Sequence, residues 1–149
     1  MNNIKVKIKL LREGVSVPEY ATPGSAAVDL RSAADEDITI EPGKRALIPT
    51  GIAIAPETDG VVAILAARSG LSVKHGITAS NGIGVIDSDY RGEISVSLSN
   101  VSDTPYTIAR GERIAQLMFV PVMHAAFIEA DELDETSRGT GGFGSTGKN

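Results

Sequence analysis

Two short motifs carry residue types suited to chemistry on a phosphorylated substrate. In DSDYRG, at residues 87–92, Asp87 follows an apolar stretch at a turn. A carboxylate at a strand end can orient and deprotonate a water molecule, whereas Asp and Gly can also simply shape a turn, and both interpretations stay open. A calcium loop is excluded because Arg91 and Leu98 stand at ligand positions. In the second motif, Arg68-Ser69-Gly70, a guanidinium, a hydroxyl and an unhindered backbone N–H are suited to phosphate oxygens.

The glycine-rich segment GFGSTGKN, residues 142–149, is close to a phosphate-binding loop but has Asn149 at the hydroxyl position. Two interpretations remain for it. It is a disordered tail, or it orders over a ligand. In the second case Ser145, Thr146 and backbone N–H groups would surround phosphates, and Phe143 would stack on a planar ring.

Short strands must position these motifs. Apolar and polar residues alternate over IKVKIKL (4–10), which predicts an edge strand, and over EISVSLS (93–99), where Ile94, Val96 and Leu98 should point inward. Further strands are predicted at 38–40, 46–55, 61–66, 113–120 and 125–130. The frequent turns between them favour an all-β sandwich or barrel, with at most one short helix from about Ser69, as N-cap, to Lys74.

Composition limits the classes of function. The 149 residues are expected to form one β catalytic domain (1–135), followed by a flexible, glycine-rich C-terminal tail (136–149). A net charge of −5 argues against a nucleic-acid or anionic-membrane surface. The absence of cysteine excludes thiol catalysis and thiolate metal sites, so any metal should be oxygen-bound. Without a visible targeting or transmembrane segment, a cytoplasmic location is expected.

Five blocks occur in a fixed order over residues 26–147. They read AAVDLRSA (26–33), ARSGLSVKHGI (67–77), NGIGVIDSDYRGEI (81–94), RIAQLMFVPV (113–122) and RGTGGFGSTG (138–147). Together they resemble the motifs of the trimeric dUTPase family, nucleotidohydrolases that convert dUTP to dUMP and pyrophosphate. Ala27 and Ala67 stand where many relatives have Gly and Pro, and neither departure removes a reactive group.

The resemblance implies a jelly-roll-like β fold, a homotrimer with shared active sites, dUTP as substrate and Mg²⁺ as cofactor. It assigns water activation to Asp87, contact with the deoxyribose to Tyr90, and an action on Mg²⁺ through water to Asp29. Phosphates would be held by Arg68, Ser69, Gly70 and Gln116. Uracil would be read by Asn81, Gly84, Val85 and Ile86, which form a hairpin. The tail residues that would close over uracil and the outer phosphates are Arg138, Phe143, Gly144, Ser145 and Thr146.

The expected function is hydrolysis of dUTP, which limits uracil in DNA and supplies dUMP for dTTP synthesis. Two alternative functions stay open. A dCTP deaminase of the same architecture would need a Glu where this chain has Ser97, which cannot act as the general acid/base. The other alternative is a non-catalytic trimeric module that binds nucleotide or protein, which would not require Asp87, Arg68 and the tail together. A measurement of turnover distinguishes such a module from an enzyme.

Overall fold

Strands dominate the chain because short runs of β-branched and other apolar residues alternate with polar ones between turns. The computed structural model describes residues 3–142, and one helix and eleven strands occur in that range. The all-β prediction is confirmed. The elements are β1 (Val6–Leu10), β2 (Val28–Arg31), β3 (Ile38–Ile40), β4 (Arg45–Pro49), β5 (Ile52–Pro56), β6 (Val61–Ala67), α1 (Ser69–His75), β7 (Ile77–Ala79), β8 (Ile83–Ile86), β9 (Ser95–Asn100), β10 (Tyr106–Ile108) and β11 (Arg113–Pro121).

A four-stranded antiparallel sheet in the order β2-β11-β6-β8 carries most of the predicted site residues. A second sheet has the order β4-β9-β7, and β1-β5 and β10-β3 form two further antiparallel pairs. Leu65 and Leu117 of the first sheet share one buried apolar cluster with Val96 and Leu98 of the second. The two sheets therefore pack against each other as a sandwich.

The predicted alternation in residues 93–99 is confirmed, because Ile94, Val96 and Leu98 are all buried. The predicted strand over 46–55 is divided into β4 and β5 by Thr50 and Gly51. Gly51 has a φ of +71°, and a Cβ there would lie 2.5 Å from Cγ2 of Val15. Only glycine fits this bend.

Two sequence predictions are wrong. Residues 125–130 form no strand and are exposed, with Phe127 97% accessible. A strand needs a neighbour for its backbone groups, and none pairs with this segment among the described residues. Ser69 is the first residue of α1, whereas Arg68 is the N-cap and its side chain makes no capping hydrogen bond. The acidic residues 129–135 are exposed, as expected. The division at residue 136 remains a prediction.

Candidate active site

Three predicted phosphate-side residues meet on the four-stranded sheet. Gln116 of β11 lies opposite Asp29 of β2 on one side and opposite Ala66 of β6 on the other. Residues directly opposite each other in antiparallel strands project to the same face, with Cβ atoms about 4.5–5.5 Å apart. Arg68 directly follows β6. Asp29, Gln116 and Arg68, which are far apart in the sequence, are therefore neighbours at this edge of the fold.

Asp29 is held between two guanidinium groups. Its Oδ1 accepts a hydrogen bond from Nε of Arg68 (3.0 Å), and its Oδ2 accepts one from Nη1 of Arg113 (3.2 Å). Arg68 also donates to the backbone carbonyl of Arg113 (3.4 Å). One carboxylate and two guanidiniums leave a local charge of +1, and both arginines are oriented by the same acceptor. This arrangement suits a polyanionic ligand.

Asp29 also borders two cavities. One of about 540 Å³ is lined by Asp29, Arg31, Arg113 and the segment 14–21, and one of about 270 Å³ by Asp29, Gln116, Ser25 and Met118, among others. A carboxylate has about four lone-pair sites, of which the arginines use two. Asp29 therefore retains acceptor capacity toward these open spaces.

Ser69 and Gly70 begin α1 beside Arg68, and both are exposed. A Cβ at Gly70 would meet nothing within 4 Å. Packing within the chain thus does not require glycine at this position.

The predicted base-reading residues lie on β8, an edge strand that pairs with β6. Ile83 and Val85 are 52% and 61% exposed, and Gly84 lies opposite Leu65. Asn81 is exposed in a turn closed by the bond from Gly82 N–H to the Ala79 carbonyl (3.1 Å). β7 pairs with β9 and β8 with β6, so among the described strands this turn links two sheets, and the uracil-reading hairpin stays a prediction.

Asp87 lies at the end of β8, where Tyr90 N–H donates to the Asp87 carbonyl (3.1 Å) and closes a turn. A turn therefore follows β8, with the Asp87 side chain exposed at its start, and both interpretations of Asp87 stay open. The Tyr90 hydroxyl donates to the Glu93 carbonyl (3.1 Å), and its ring remains 47% exposed. The Arg91 guanidinium donates to the carbonyls of Ser88 (2.7 Å) and Tyr90 (3.0 Å). These bonds hold the loop while leaving the carboxylate accessible.

Asp87 and Arg68 of one chain lie toward opposite ends of β6. Ile86 is opposite Ala63, near the start of β6, whereas Arg68 follows its last residue. Five residues of extended chain between positions 63 and 68 span about 17 Å. One chain therefore does not bring the predicted water-activating group and the predicted phosphate-binding group together.

Sequence reasoning missed three charged residues at the site. Arg113 contacts Asp29, and the sequence feature that could have indicated Arg113 is its position as the first residue of the block 113–122. Glu93, in the block 81–94, accepts bonds from Nε and Nη2 of Arg12 (2.7 and 3.0 Å) and from Gly51 N–H (2.8 Å). The hydrogen bond with Arg12 lowers the pKa of Glu93 and raises that of Arg12, each against the opposing effect of burial. No local pattern marks Arg12.

The remaining predicted residues belong to the C-terminal region. Arg138 is exposed, and its Nε donates to the Gly141 carbonyl (2.9 Å). Within residues 3–142 this is the hydrogen bond that the Arg138 side chain makes, and it does not involve another predicted site residue. The predictions for Phe143, Gly144, Ser145 and Thr146 lie outside the described residues.

Known proteins share the sequence pattern and the fold of this chain. Residues 13–147 match the profile of the dUTPase family. A deoxyuridine 5'-triphosphate nucleotidohydrolase of Desulfitobacterium hafniense (strain DSM 10664 / DCB-2) is 54% identical, with 99% of each chain covered.

The chain belongs to the dUTPase family. The expectation of an enzyme of this class is therefore confirmed. A dUTPase variant of Staphylococcus bacteriophage 80alpha, solved with dUpNHpp, is similar with a TM-score of 0.87 and 28% identity over 97% of this chain and 99% of that one. A variant of the dUTPase from Staphylococcus aureus phage phi11, described with a structural Mg(II) ion, has a TM-score of 0.79 and 25% identity over 88% and 99%. The jelly-roll β fold expected from the resemblance is confirmed as well.

Within residues 3–142 no helix is long and apolar enough to cross a membrane. The same range contains no group of three or more histidine and carboxylate side chains arranged to hold a metal ion.

Proposed function

We propose that this dUTPase cleaves dUTP to dUMP and pyrophosphate, with Asp87 accepting a proton from the water that attacks the α-phosphorus. The observation that carries the proposal is the arrangement of Asp29 between Arg68 and Arg113 beside Gln116, in a chain of this family. A triphosphate is highly negative, so its charge must be neutralised before a water molecule that is losing its proton can attack the α-phosphorus. The two arginines supply fixed positive charge on the phosphate side. Asp87, exposed at the end of β8, supplies the base.

The residues present fit an outer-sphere role toward Mg²⁺. Mg²⁺ in nucleotide sites commonly keeps several waters and is bound by substrate phosphates with one or two carboxylates, so a cage of three protein carboxylates is not needed. Asp29 has free acceptor sites toward the adjacent cavities and would receive hydrogen bonds from metal-bound waters. When bound, the ion would neutralise phosphate charge. Asp29 meanwhile keeps Arg68 and Arg113 in their orientations.

The edge position of β8 supports recognition of uracil by backbone groups. An edge strand leaves N–H and C=O groups without a sheet neighbour, and these can pair with the edge of a base. Gly84, Val85 and Ile86 belong to this strand, and Asn81 lies in the turn before it. Uracil offers O4 as acceptor and N3–H as donor, whereas cytosine reverses the pattern and would leave groups unpaired. Tyr90, next along the chain, would pack against the sugar and exclude a 2′-hydroxyl.

A homotrimer with shared sites is supported by two features of the single chain. The separation of about 17 Å between the two ends of β6 supports a site in which the base and the phosphate-binding arginine come from different copies. The segment 122–133 exposes Met123, Phe127, Ile128 and Leu133, a set of large apolar side chains that a neighbouring copy would cover. In that assembly Arg138 and residues 143–146 would close over a neighbour's site. The activity would limit uracil in DNA and supply dUMP.

The first test identifies the reaction. The protein is incubated with Mg²⁺ and, separately, dUTP, dTTP, dCTP and UTP, and the products are separated by ion-exchange chromatography. Pyrophosphate and dUMP from dUTP alone are expected. Ammonia from dCTP would indicate deamination, and binding without turnover would indicate a non-catalytic module; either result contradicts the proposal.

The second test addresses the shared site. An Asp87→Asn variant and a variant lacking residues 137–149, each expected to be inactive, are mixed under conditions that allow subunit exchange. Partial activity should return, because some sites then combine an intact Asp87 with an intact tail from another copy. If the mixture stays inactive although exchange is demonstrated by native mass spectrometry, each tail serves its own subunit and the shared-site arrangement is wrong.

A further inference from the structure

A continuous series of contacts connects Arg12, near the N-terminus, to Tyr90. Arg12 binds both carboxylate oxygens of Glu93 at 2.7 and 3.0 Å, and Glu93 Oε1 also accepts Gly51 N–H at 2.8 Å. The backbone carbonyl of Glu93 accepts the Tyr90 hydroxyl at 3.1 Å. The acceptor that holds the tyrosine therefore belongs to a residue whose own side chain is fixed from two directions.

Two glycines keep this series of contacts in place. Gly51 bends at positive φ, and its carbonyl accepts Leu11 N–H (2.8 Å), so it joins the segment that carries Arg12 to Glu93. At Gly92 a Cβ would lie 2.6 Å from Cζ of Tyr90 and would overlap the hydroxyl. The Tyr90 ring thus lies directly on the Gly92 backbone. The ring position depends on residues 92 and 93.

Residue 94 fixes the other side of Glu93. Ile94 N–H donates to the Ile52 carbonyl (2.8 Å), and the Ile94 carbonyl accepts the Thr50 hydroxyl (2.6 Å). The backbone after Glu93 is therefore anchored, whereas the loop before it is attached mainly through its own turn and through Tyr90. The Arg12–Glu93 ion pair lies at the boundary between the anchored and the exposed part.

We propose that Glu93, held by Arg12, is a positioning residue that fixes the Tyr90 ring against the sugar and so contributes to the rejection of ribonucleotides. This rests on the proposed role of Tyr90. A half-exposed aromatic ring without its hydroxyl tether can adopt neighbouring rotamers, and a retreat of about 1 Å makes room for an added hydroxyl group. Discrimination by packing requires a ring that does not retreat.

The experiment measures kcat/KM for dUTP and for UTP in four variants. Glu93→Gln keeps the size and one acceptor but presents an amide N–H₂ group to Arg12 Nη2, and Arg12→Lys removes the two-pronged contact. Tyr90→Phe removes only the tether. Each is expected to narrow the dUTP/UTP ratio by about three- to tenfold, chiefly through improved use of UTP. The double variant Glu93→Gln/Tyr90→Phe should narrow it no further than Tyr90→Phe alone, because both changes act through one contact.

Glu112→Gln is a matched control. Glu112 accepts the Tyr106 hydroxyl (2.7 Å) and Ala109 N–H (3.0 Å), so the same substitution disturbs a tyrosine–glutamate contact elsewhere in the fold. Its dUTP/UTP ratio should stay within about twofold of the parent. An effect as large as that of Glu93→Gln would show that general loosening changes the ratio and would overturn the proposal.

Tyr90→Ala separates the possible failures. If it narrows the ratio while Glu93→Gln and Arg12→Lys do not, Tyr90 keeps its role and the positioning by Glu93 is refuted. If the effects of Glu93→Gln and Tyr90→Phe add, Glu93 acts by another route and the proposal is also wrong. If Tyr90→Ala leaves the ratio unchanged while dUTP is still hydrolysed, the assignment of the sugar contact itself fails. Tyr90 is on the surface, so its variants are expected to fold.

Discussion

A carboxylate lies near each end of β6, and the surroundings of the two carboxylates differ. Near Arg68, both oxygens of Asp29 accept bonds from arginines, and its side chain is 20% exposed. Near the other end, Asp87 is exposed and contributes its backbone carbonyl to a turn. A carboxylate that orients arginines should have both oxygens hydrogen-bonded to them, whereas a carboxylate that accepts a proton from water must be reachable by that water. The contrast fits the proposed division of roles, in which Asp29 positions the arginines and Asp87 accepts the proton.

The largest effect on turnover is expected from replacing Asp87, whose side chain is exposed. Asp87→Asn preserves size but cannot accept a proton, so kcat for dUTP should fall by about 10²–10⁴-fold while nucleotide still binds. Thermal unfolding should be nearly unchanged, because the side chain is on the surface. Steady-state kinetics with dUTP and a binding titration with a non-hydrolysable analogue test both parts. Near-normal turnover would remove Asp87 from the role of base.

A smaller effect, on both catalysis and stability, is expected from replacing Asp29, whose carboxylate is bonded to two arginines. Asp29→Asn leaves Arg68 and Arg113 without a charged acceptor, so kcat/KM should fall by about 10–100-fold and the unfolding midpoint should also fall. Asp35→Asn is the control, since Asp35 lies near Arg12 and Arg110 at 3.6 and 3.7 Å but is highly exposed. It should change neither quantity appreciably. If Asp29→Asn and Asp35→Asn change kcat/KM and the unfolding midpoint by the same amount, the contact of Asp29 with two arginines is not the cause of the change.

The smallest effect concerns pH and the loop that follows Asp87. Because Arg12 lowers the pKa of Glu93 in the folded protein, the ion pair stabilises the fold fully above the ordinary glutamate pKa of about 4.3. That contribution is lost as pH falls through the lowered folded value. The stability gap between the parent and Glu93→Gln should therefore be constant from pH 7 to pH 5 and shrink below about pH 4. Urea midpoints measured from pH 7 to pH 3 test it, and a gap that does not shrink at all between pH 5 and pH 3 would contradict the assigned cause.

Local patterns predicted the strands well because alternation reports which face of a strand is buried, as in Ile94, Val96 and Leu98. The same patterns could not show that β7 and β8 join different sheets, since sheet membership depends on partners far along the chain. The predicted strand over 125–130 failed for a related reason. Its composition suits a strand, but a strand forms only where another lies beside it.

Site residues could be proposed from the sequence where they lie in short blocks, as for Asp87, Arg68 and Gln116, and their roles stay predictions. Residues that are brought together by contacts between distant segments could not be proposed in this way. Arg12 and Glu93 are 81 positions apart, and nothing near Arg12 marks it as part of a site. The engagement of Asp29 by Arg113, across 84 positions, was likewise visible only in three dimensions.

The close approach of Tyr90 to Gly92 makes the effects of substitutions at the two positions depend on each other. A Cβ at position 92 would overlap the hydroxyl and Cζ of Tyr90, so the tyrosine must shift if Gly92 is replaced. Once position 90 carries a small residue, that overlap disappears. The effect of a substitution at position 92 therefore depends on which residue stands at position 90. A saturation library at position 92 would show this dependence as a strong interaction between two residues only two positions apart.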